Sequence, residues 1–98
     1  MSDRMFVVLL RFSDNKAAAG QHIAGHQAWI QAGLDDGVFL LVGSIQPGVG
    51  GAVLAHDTSA AELEKRIAQD PFMAQDVVTG EIIEIAPAMA DERLGFLL

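Results

Sequence analysis

The chain has no cysteine and no tyrosine among its 98 residues, and its basic residues are few. The lack of cysteine excludes disulfides, thiolate nucleophiles and cysteine-based metal or iron–sulfur sites. Six lysines and arginines against 13 acidic residues give a formal net charge of −7. Nucleic acids and anionic membranes are bound through clustered cations, so we expect neither kind of partner.

Long hydrophobic runs are also missing, since no stretch approaches the roughly 20 uninterrupted apolar residues that cross a membrane. The start, Met1 to Arg4, lacks the basic end, apolar core and cleavage site of a signal peptide. We therefore expect a cytoplasmic protein. The length suits one small domain over residues 1–98, with a core over 5–87 and an apolar tail over 88–98.

Hydrophobic periodicity predicts four strands and two helices. The strands are expected over 5–12, 38–45, 51–56 and 77–86, and the helices over 16–36 and 60–69. Asp14 or Asn15 can cap the first helix and Gly37 can end it, while Ser59 and Glu62 form a capping box before the second. The order predicts an α+β, ferredoxin-like βαββαβ fold, in which a four-stranded antiparallel sheet carries both helices on one face.

The sheet face away from the helices is also apolar in sequence. In the first strand Phe6 and Val8 alternate with Met5 and Val7, so both faces carry apolar side chains. An antiparallel sheet with one face in water should instead alternate apolar and polar residues. A second copy of the chain is the simplest cover, and we expect a homodimer formed through this sheet face.

His26 is the histidine that falls within an amphipathic helix, on the stripe that we expect to point toward the sheet. The apolar members of that stripe are Ile23, Ile30, Ala32 and Leu34. One interpretation is a histidine at the edge of the core that hydrogen-bonds a backbone carbonyl. The other is a proton-transfer group, because histidine titrates near neutral pH.

Asp70 is expected at the end of the second helix, where the helix dipole disfavours a carboxylate. An Asp before Pro also initiates turns, so a structural role stays open. In this fold the two helices run side by side, and His26 and Asp70 both lie about ten residues along them, roughly 15 Å at 1.5 Å per residue. They could face each other and form a general acid–base pair, in which Asp70 orients the imidazole.

Arg11 and Ser44 are candidate substrate-binding residues. Arg11 is the one charge in the first strand and could anchor an anionic or phenolic ligand, although pairing with an acid such as Glu84 explains it as well. Gly43 and Ser44 could offer an amide and a hydroxyl to a ligand, and ordinary turn chemistry explains them equally.

We expect neither a metal nor a cofactor. His22 and His26 have the i, i+4 spacing that can hold a metal ion, but no third ligand is evident in the sequence. The glycine-rich segment 48–51 lacks the Lys and the Ser or Thr of a phosphate-binding loop. Proton transfer by a histidine needs no additional group.

From residue 5 to about residue 87 the chain resembles the YciI-like (YCII-related) family. The resemblance rests on His26, on the Gly43-Ser44 pair and above all on Asp70-Pro71-Phe72 after an amphipathic helix. It implies a dimeric α/β barrel whose pocket holds a His-Asp pair, here His26 and Asp70. The family is similar to muconolactone isomerase and includes a dehydrochlorinase acting on a chlorinated hydroxyhydroquinone. It therefore implies lyase or isomerase chemistry on small cyclic or aromatic compounds.

The leading hypothesis is a small cofactor-independent enzyme of the lyase or isomerase type. His26 would move a proton, Asp70 would stabilise the imidazolium, and Ser44 or Arg11 would position a polar substituent of a small-molecule substrate. The alternative is a non-catalytic ligand-binding or dimerisation module. A third hypothesis is a cofactor-free oxygenase on the same barrel.

Overall fold

The computed structural model describes residues 4–98, and their strands and helices follow the predicted order. The strands are β1 (Met5–Phe12), β2 (Phe39–Ile45), β3 (Gly50–His56) and β4 (Val78–Ile85). The α-helices are α1 (Ala19–Asp35), α2 (Ala60–Ala68) and α3 (Pro71–Ala74), with 3-10 turns at Lys16–Ala18 and Glu92–Leu97. The sheet order is β2-β3-β1-β4 with antiparallel neighbours, and the helices cover one face. The predicted ferredoxin-like fold is confirmed.

The core lies between the helices and one face of the sheet. Phe6, Val8 and Leu10 of β1 are buried on this face, and the residues between them are less buried. Leu63 and Ile67 are the buried residues of α2 and pack in the same cluster. Because side chains alternate along a strand, the odd-numbered residues of β1 belong to the opposite face, called the outer face below.

The helix α1 buries only part of the predicted stripe. Ile30 packs partly buried against the core, but the buried residues of the helix are Trp29 and Gly33, and Ile23 is 44% exposed. A Cβ added to Gly33 would lie 2.1 Å from Cδ2 of Phe39, so the backbone of α1 rests directly on this ring. Hydrophobic spacing could not reveal this contact, because a glycine carries no apolar signal.

The ends of α1 follow the prediction only in part. The expected cap by Asp14 or Asn15 is not made, since neither the 3-10 turn nor α1 has a side-chain hydrogen bond at its start. Gly37 follows the last turn with φ +75°, the conformation that glycine adopts at low cost.

The connection between β3 and β4 contains two helices, α2 and α3, rather than the single helix predicted. Oγ of Ser59 accepts a hydrogen bond from the backbone N–H of Glu62 at 3.1 Å, so Ser59 caps α2, which is one half of the predicted capping box. A residue before proline is forced toward extended backbone, and Asp70 leaves the helical conformation at φ −65°, ψ 124°. Asp70 is therefore the N-cap of α3, and the prediction that it lies at the C-terminal end of the second helix is wrong.

The outer face of the sheet is apolar at its centre. Val7 of β1 is opposite Ile83 of β4, and Leu54 of β3 is opposite Leu41, which is 56% exposed. At one end of this face the ring of Phe96, from the tail, lies 5.6 Å from His56. Within residues 4–98 no helix combines the length and the hydropathy needed to cross a membrane.

Candidate active site

The fold brings together the two residues of the predicted pair. Nδ1 of His26 lies 2.7 Å from Oδ1 of Asp70. The Asp70 side chain is fully buried and that of His26 is 15% exposed. A buried carboxylate must be paired or hydrogen-bonded, and among residues 4–98 His26 is the side chain within hydrogen-bonding distance of it.

Asp70 is held by the helix that it caps. Its Oδ1 also accepts the backbone N–H of Phe72 at 3.0 Å. Since Oδ1 is the acceptor of this second bond, Nδ1 of His26 carries the proton and donates it. The other oxygen, Oδ2, is buried and has no hydrogen-bond partner among residues 4–98.

Phe72 fixes the plane of the imidazole. Its ring is stacked on that of His26 with centroids 3.9 Å apart and planes within 2°. Trp29 lies one turn along α1, 5.9 Å from the imidazole. Its Nε1–H donates to the backbone carbonyl of Arg66 at 2.8 Å, which ties α1 to the end of α2. The imidazole is therefore oriented by one hydrogen bond and one aromatic face.

A cavity of about 280 Å³ lies between α1 and the sheet, and His26 is part of its wall. Asp70 is not part of the wall, because it lies behind the imidazole. Nδ1 is occupied by Asp70, so Nε2 is the nitrogen that remains for a ligand. The wall is otherwise apolar or uncharged: Leu10, Phe12, Ile23, Gln27, Trp29, Ile30, Val42, Gly43, Ser44, Gly50, Gly51, Ala52, Val53, Phe72 and Val78.

The floor of this cavity depends on a residue without a side chain. Gly51 is opposite Leu10 on one side and Ser44 on the other, so it belongs to the face of the sheet that carries the helices. A Cβ added there would meet one atom within 4 Å, the backbone oxygen of Gly43 at 3.4 Å. The space above Gly51 is thus open, and a larger residue would fill the cavity.

The structure separates the two candidate substrate-binding residues. Ser44 lines the cavity together with His26. Arg11 follows Leu10 in β1 and therefore lies on the outer face, where its guanidinium donates to Glu81 at 3.1 Å. The structure thus does not bring Arg11 to the cavity of its own chain, and the acid that pairs with it is Glu81 rather than Glu84. Strand alternation is the physical reason.

No metal cluster is formed by the described part of the chain, in which no three His, Asp or Glu side chains converge. His22 lies one turn before His26 on α1 and is not part of the cavity wall. The arrangement is instead suited to proton transfer. An imidazole that donates Nδ1–H to a buried carboxylate presents Nε2 as a base and holds the imidazolium once it has formed.

Several residues of the site escaped the sequence interpretation. No signal in the sequence indicated the ring contacts that Phe72 and Trp29 make with His26, and Gly51 was predicted only as the start of a strand after a glycine-rich segment. One signal was available: Asp-Pro is the sequence of an N-cap followed by proline at the first helical position. It predicts α3 and the hydrogen bond from the N–H of Phe72.

No protein-family model matches the chain, and a search of curated proteins finds no match either. Solved structures do match. The 5-chloro-2-hydroxyhydroquinone dehydrochlorinase (TftG) from Burkholderia phenoliruptrix AC1100, in complex with 2,5-dihydroxybenzoquinone, aligns over 88% of this chain and 95% of its own, with TM-score 0.69 and 12% identity. At this identity the likeness is one of fold, and it agrees with the ferredoxin-like order of elements.

Two structures of SnoaB, a cofactor-independent oxygenase from Streptomyces nogalater, align over 92% of this chain and 97% of theirs. Their TM-scores are 0.48 for a point mutant and 0.49 for the other structure, both at 13% identity.

Proposed function

We propose that this protein is a small cofactor-independent enzyme of the lyase or isomerase type, of the YciI-like kind. The observation that carries the proposal is the pair of His26 and Asp70 at 2.7 Å, with the imidazole in the wall of a cavity and the carboxylate buried behind it. Its substrate is a small cyclic or aromatic compound. The 2,5-dihydroxybenzoquinone in the dehydrochlorinase complex, a structure of the same fold, is a ring of this class.

The reaction begins with the removal of a proton from the substrate by Nε2 of His26. The electron pair of the broken O–H or C–H bond stays on the substrate, and the imidazolium that forms keeps its Nδ1–H donated to Asp70. In an isomerisation Nε2 returns the proton to another atom of the ring. In an elimination the bond to the leaving group breaks instead, and the leaving group departs with its electron pair. Acid–base catalysis of this kind contributes typically about 100- to 10,000-fold in rate.

Ser44 has the second role in the proposed reaction. Its hydroxyl lies in the cavity wall on β2, across from α1, and can donate to or accept from a polar substituent of the ring. The wall is mostly apolar, with Gln27 as its other uncharged polar side chain, so the hydroxyl of Ser44 is one of few groups that can orient a ligand.

The experiment is a comparison of two histidine variants of the same helix. A panel of chlorinated hydroquinones, hydroxyquinones and small lactones is screened for turnover with the unaltered protein, His26→Gln and His22→Gln. Glutamine at position 26 can still donate a hydrogen bond to Asp70 but cannot carry the proton. We expect loss of turnover by at least 100-fold in His26→Gln, with ring binding retained, and full turnover in His22→Gln.

The alternative function is a non-catalytic binding module on the same fold. It predicts that rings bind in the cavity and that none is converted, by the unaltered protein or by any variant. Turnover that survives in His26→Gln at the level of His22→Gln would contradict the proposed enzyme.

We also propose that the outer face pairs with the outer face of a second copy. Val7, Leu41, Leu54 and Ile83 give this face an apolar centre, and contiguous apolar surface of this kind is typical of an interface. Sedimentation should give a dimer for the unaltered chain and a monomer for Ile83→Glu. The exposed Ile23 on α1 offers a control, because Ile23→Glu changes the opposite side and should leave the dimer intact.

A further inference from the structure

Charge is absent from the cavity wall apart from what His26 itself can carry. Among residues 4–98 the wall contains no Asp, Glu, Lys or Arg side chain. The nearest carboxylate is that of Asp70, held behind the imidazole and away from solvent. Arg4, Arg11 and Arg66 lie outside the wall and pair with Glu84, Glu81 and Asp36. Lys16 lies close to the wall: it is exposed and is not part of the lining, and its Nζ lies 5.0 Å from the centroid of the Phe12 ring.

This distribution decides which ligands the cavity can accept. A carboxylate or phosphate that enters loses part of its hydration and meets no cation in the lining of the cavity, and an unpaired charge in an apolar site is strongly disfavoured. It also approaches the negative charge of Asp70. A neutral hydroxyl meets no such penalty, because its proton passes to Nε2 and the resulting anion is formed beside the imidazolium. The total charge of the site is the same before and after the transfer.

The size of the cavity sets a second limit. At about 280 Å³ it lies just below the range of about 300 to 1,000 Å³ usual for ligand pockets. It is suited to one ring with small substituents. Gly51 leaves room for such a ring on the sheet, and the apolar side chains of Ile30 and Val53 in the wall would contact it.

We infer that the site selects its substrate by charge: it takes an uncharged single ring whose acidic group is a hydroxyl, and rejects a carboxylate or phosphate of the same size. The inference rests on the proposed function, because it names the substrate class of the same site. It adds the basis of selectivity, which is the lack of a cation in the wall together with the buried Asp70.

The test uses two nearly isosteric rings, 3-hydroxybenzamide and 3-hydroxybenzoate, which differ in charge at neutral pH. In both molecules the two substituents are meta to each other, so they occupy the same positions on the ring. Trp29 is the single tryptophan of the chain and lines the cavity, so its fluorescence reports binding without any knowledge of the reaction. We expect a Kd for the amide at least tenfold below that for the carboxylate.

A Kd for the carboxylate equal to or below that for the amide overturns this inference and leaves the proposed acid–base function standing. Failure of both rings to change Trp29 fluorescence or the NMR signals of His26 at millimolar concentration overturns the proposed function and the inference with it. The two failures are therefore distinct.

A charge added to the wall provides the complementary measurement. Ser44→Lys introduces a cation beside the ring, and Ser44→Gln is its uncharged control of similar reach. In Ser44→Lys the preference should move toward the carboxylate by at least tenfold relative to Ser44→Gln. Equal amide-to-carboxylate ratios in the two variants would show that charge is not the basis of selection.

Discussion

Gly25 of α1 lies directly against Pro71 of α3, so close that a Cβ added at Gly25 would stand 3.0 Å from Cγ of the proline. The two residues flank the His-Asp pair in sequence, since Gly25 precedes His26 and Pro71 follows Asp70. The approach of the α1 backbone to the proline ring therefore limits how near the imidazole can come to the carboxylate. We therefore interpret Gly25 as a positioning residue, which acts by setting the distance between His26 and Asp70.

Gly25→Ala should weaken the pair without weakening the fold. The new methyl group forces α1 and Pro71 apart by a few tenths of an ångström, while alanine favours the helix by about 0.5–1 kcal/mol over glycine. We expect the Nδ1–H signal of His26 in proton NMR to move upfield and broaden, with stability kept or raised. Any turnover should fall roughly tenfold, since a 1 Å misplacement can cost about 100-fold.

The controls for Gly25→Ala lie in the same two helices. Gly20→Ala is a matched change in α1, because a Cβ there meets nothing within 4 Å, and it should leave the Nδ1–H signal unchanged. Adding Pro71→Ala to Gly25→Ala removes the clashing Cγ and should restore the signal. A Gly25→Ala protein that behaves like Gly20→Ala would refute the positioning role.

His26→Ala should be destabilised by about 3–5 kcal/mol, because it leaves the buried carboxylate of Asp70 without its partner. Asp70→Asn removes the charge and should cost less. In a protein that already carries Asp70→Asn, the His26→Ala change should therefore lower the free energy of unfolding by much less than it does alone. Urea unfolding of the two single variants and the double variant measures this coupling, and strictly additive free energies of unfolding would show that the two groups do not depend on each other.

Gly51→Val should close the cavity while the sheet remains intact. Gly51 belongs to the helix-covered face, so a valine side chain there would enter the cavity, and we expect at least a tenfold loss of ring affinity. Because valine is favourable in strands, the change in stability should be less than about 1 kcal/mol. Trp29 fluorescence measures the binding. Thr79→Val on β4 is the control, because Thr79 is exposed and is not part of the cavity wall. Equal affinities in the two variants would place the ligand elsewhere.

Gly33→Ala should destabilise the protein by about 1–3 kcal/mol or more, despite the better helix propensity of alanine. The added Cβ would lie 2.1 Å from Cδ2 of the buried Phe39, so α1 must lift from the sheet or the ring must leave its place. Phe39→Leu provides a smaller side chain and should lower the cost of Gly33→Ala in the double variant. The midpoint of urea unfolding is the measurement, and an unchanged midpoint in Gly33→Ala would rule out the close contact.

Most of the fold was predictable because its signals are local. The apolar run of β1, the N-cap at Ser59 and the glycine after α1 each act within a few residues, and each is found where it was predicted. The buried stripe of α1 was predicted only in part. Ile30 packs against the core as predicted, but the buried residues of the helix are Trp29 and Gly33, and a glycine that touches a distant ring looks in sequence like any other glycine.

The sequence by itself determined the order of the elements and the residue types able to move a proton, because periodicity, capping and side-chain chemistry are properties of short segments. Only the tertiary structure decided that His26 meets Asp70, that Phe72 stacks on the imidazole, and that Ser44 shares their cavity while Arg11 lies on the other face. His26 and Asp70 are 44 positions apart in the sequence, and Arg11 and Glu81 are 70 positions apart. These relations depend on how closely α1, α3 and the sheet approach one another. This spacing is set by the volumes of side chains that touch in the fold but lie far apart in the sequence.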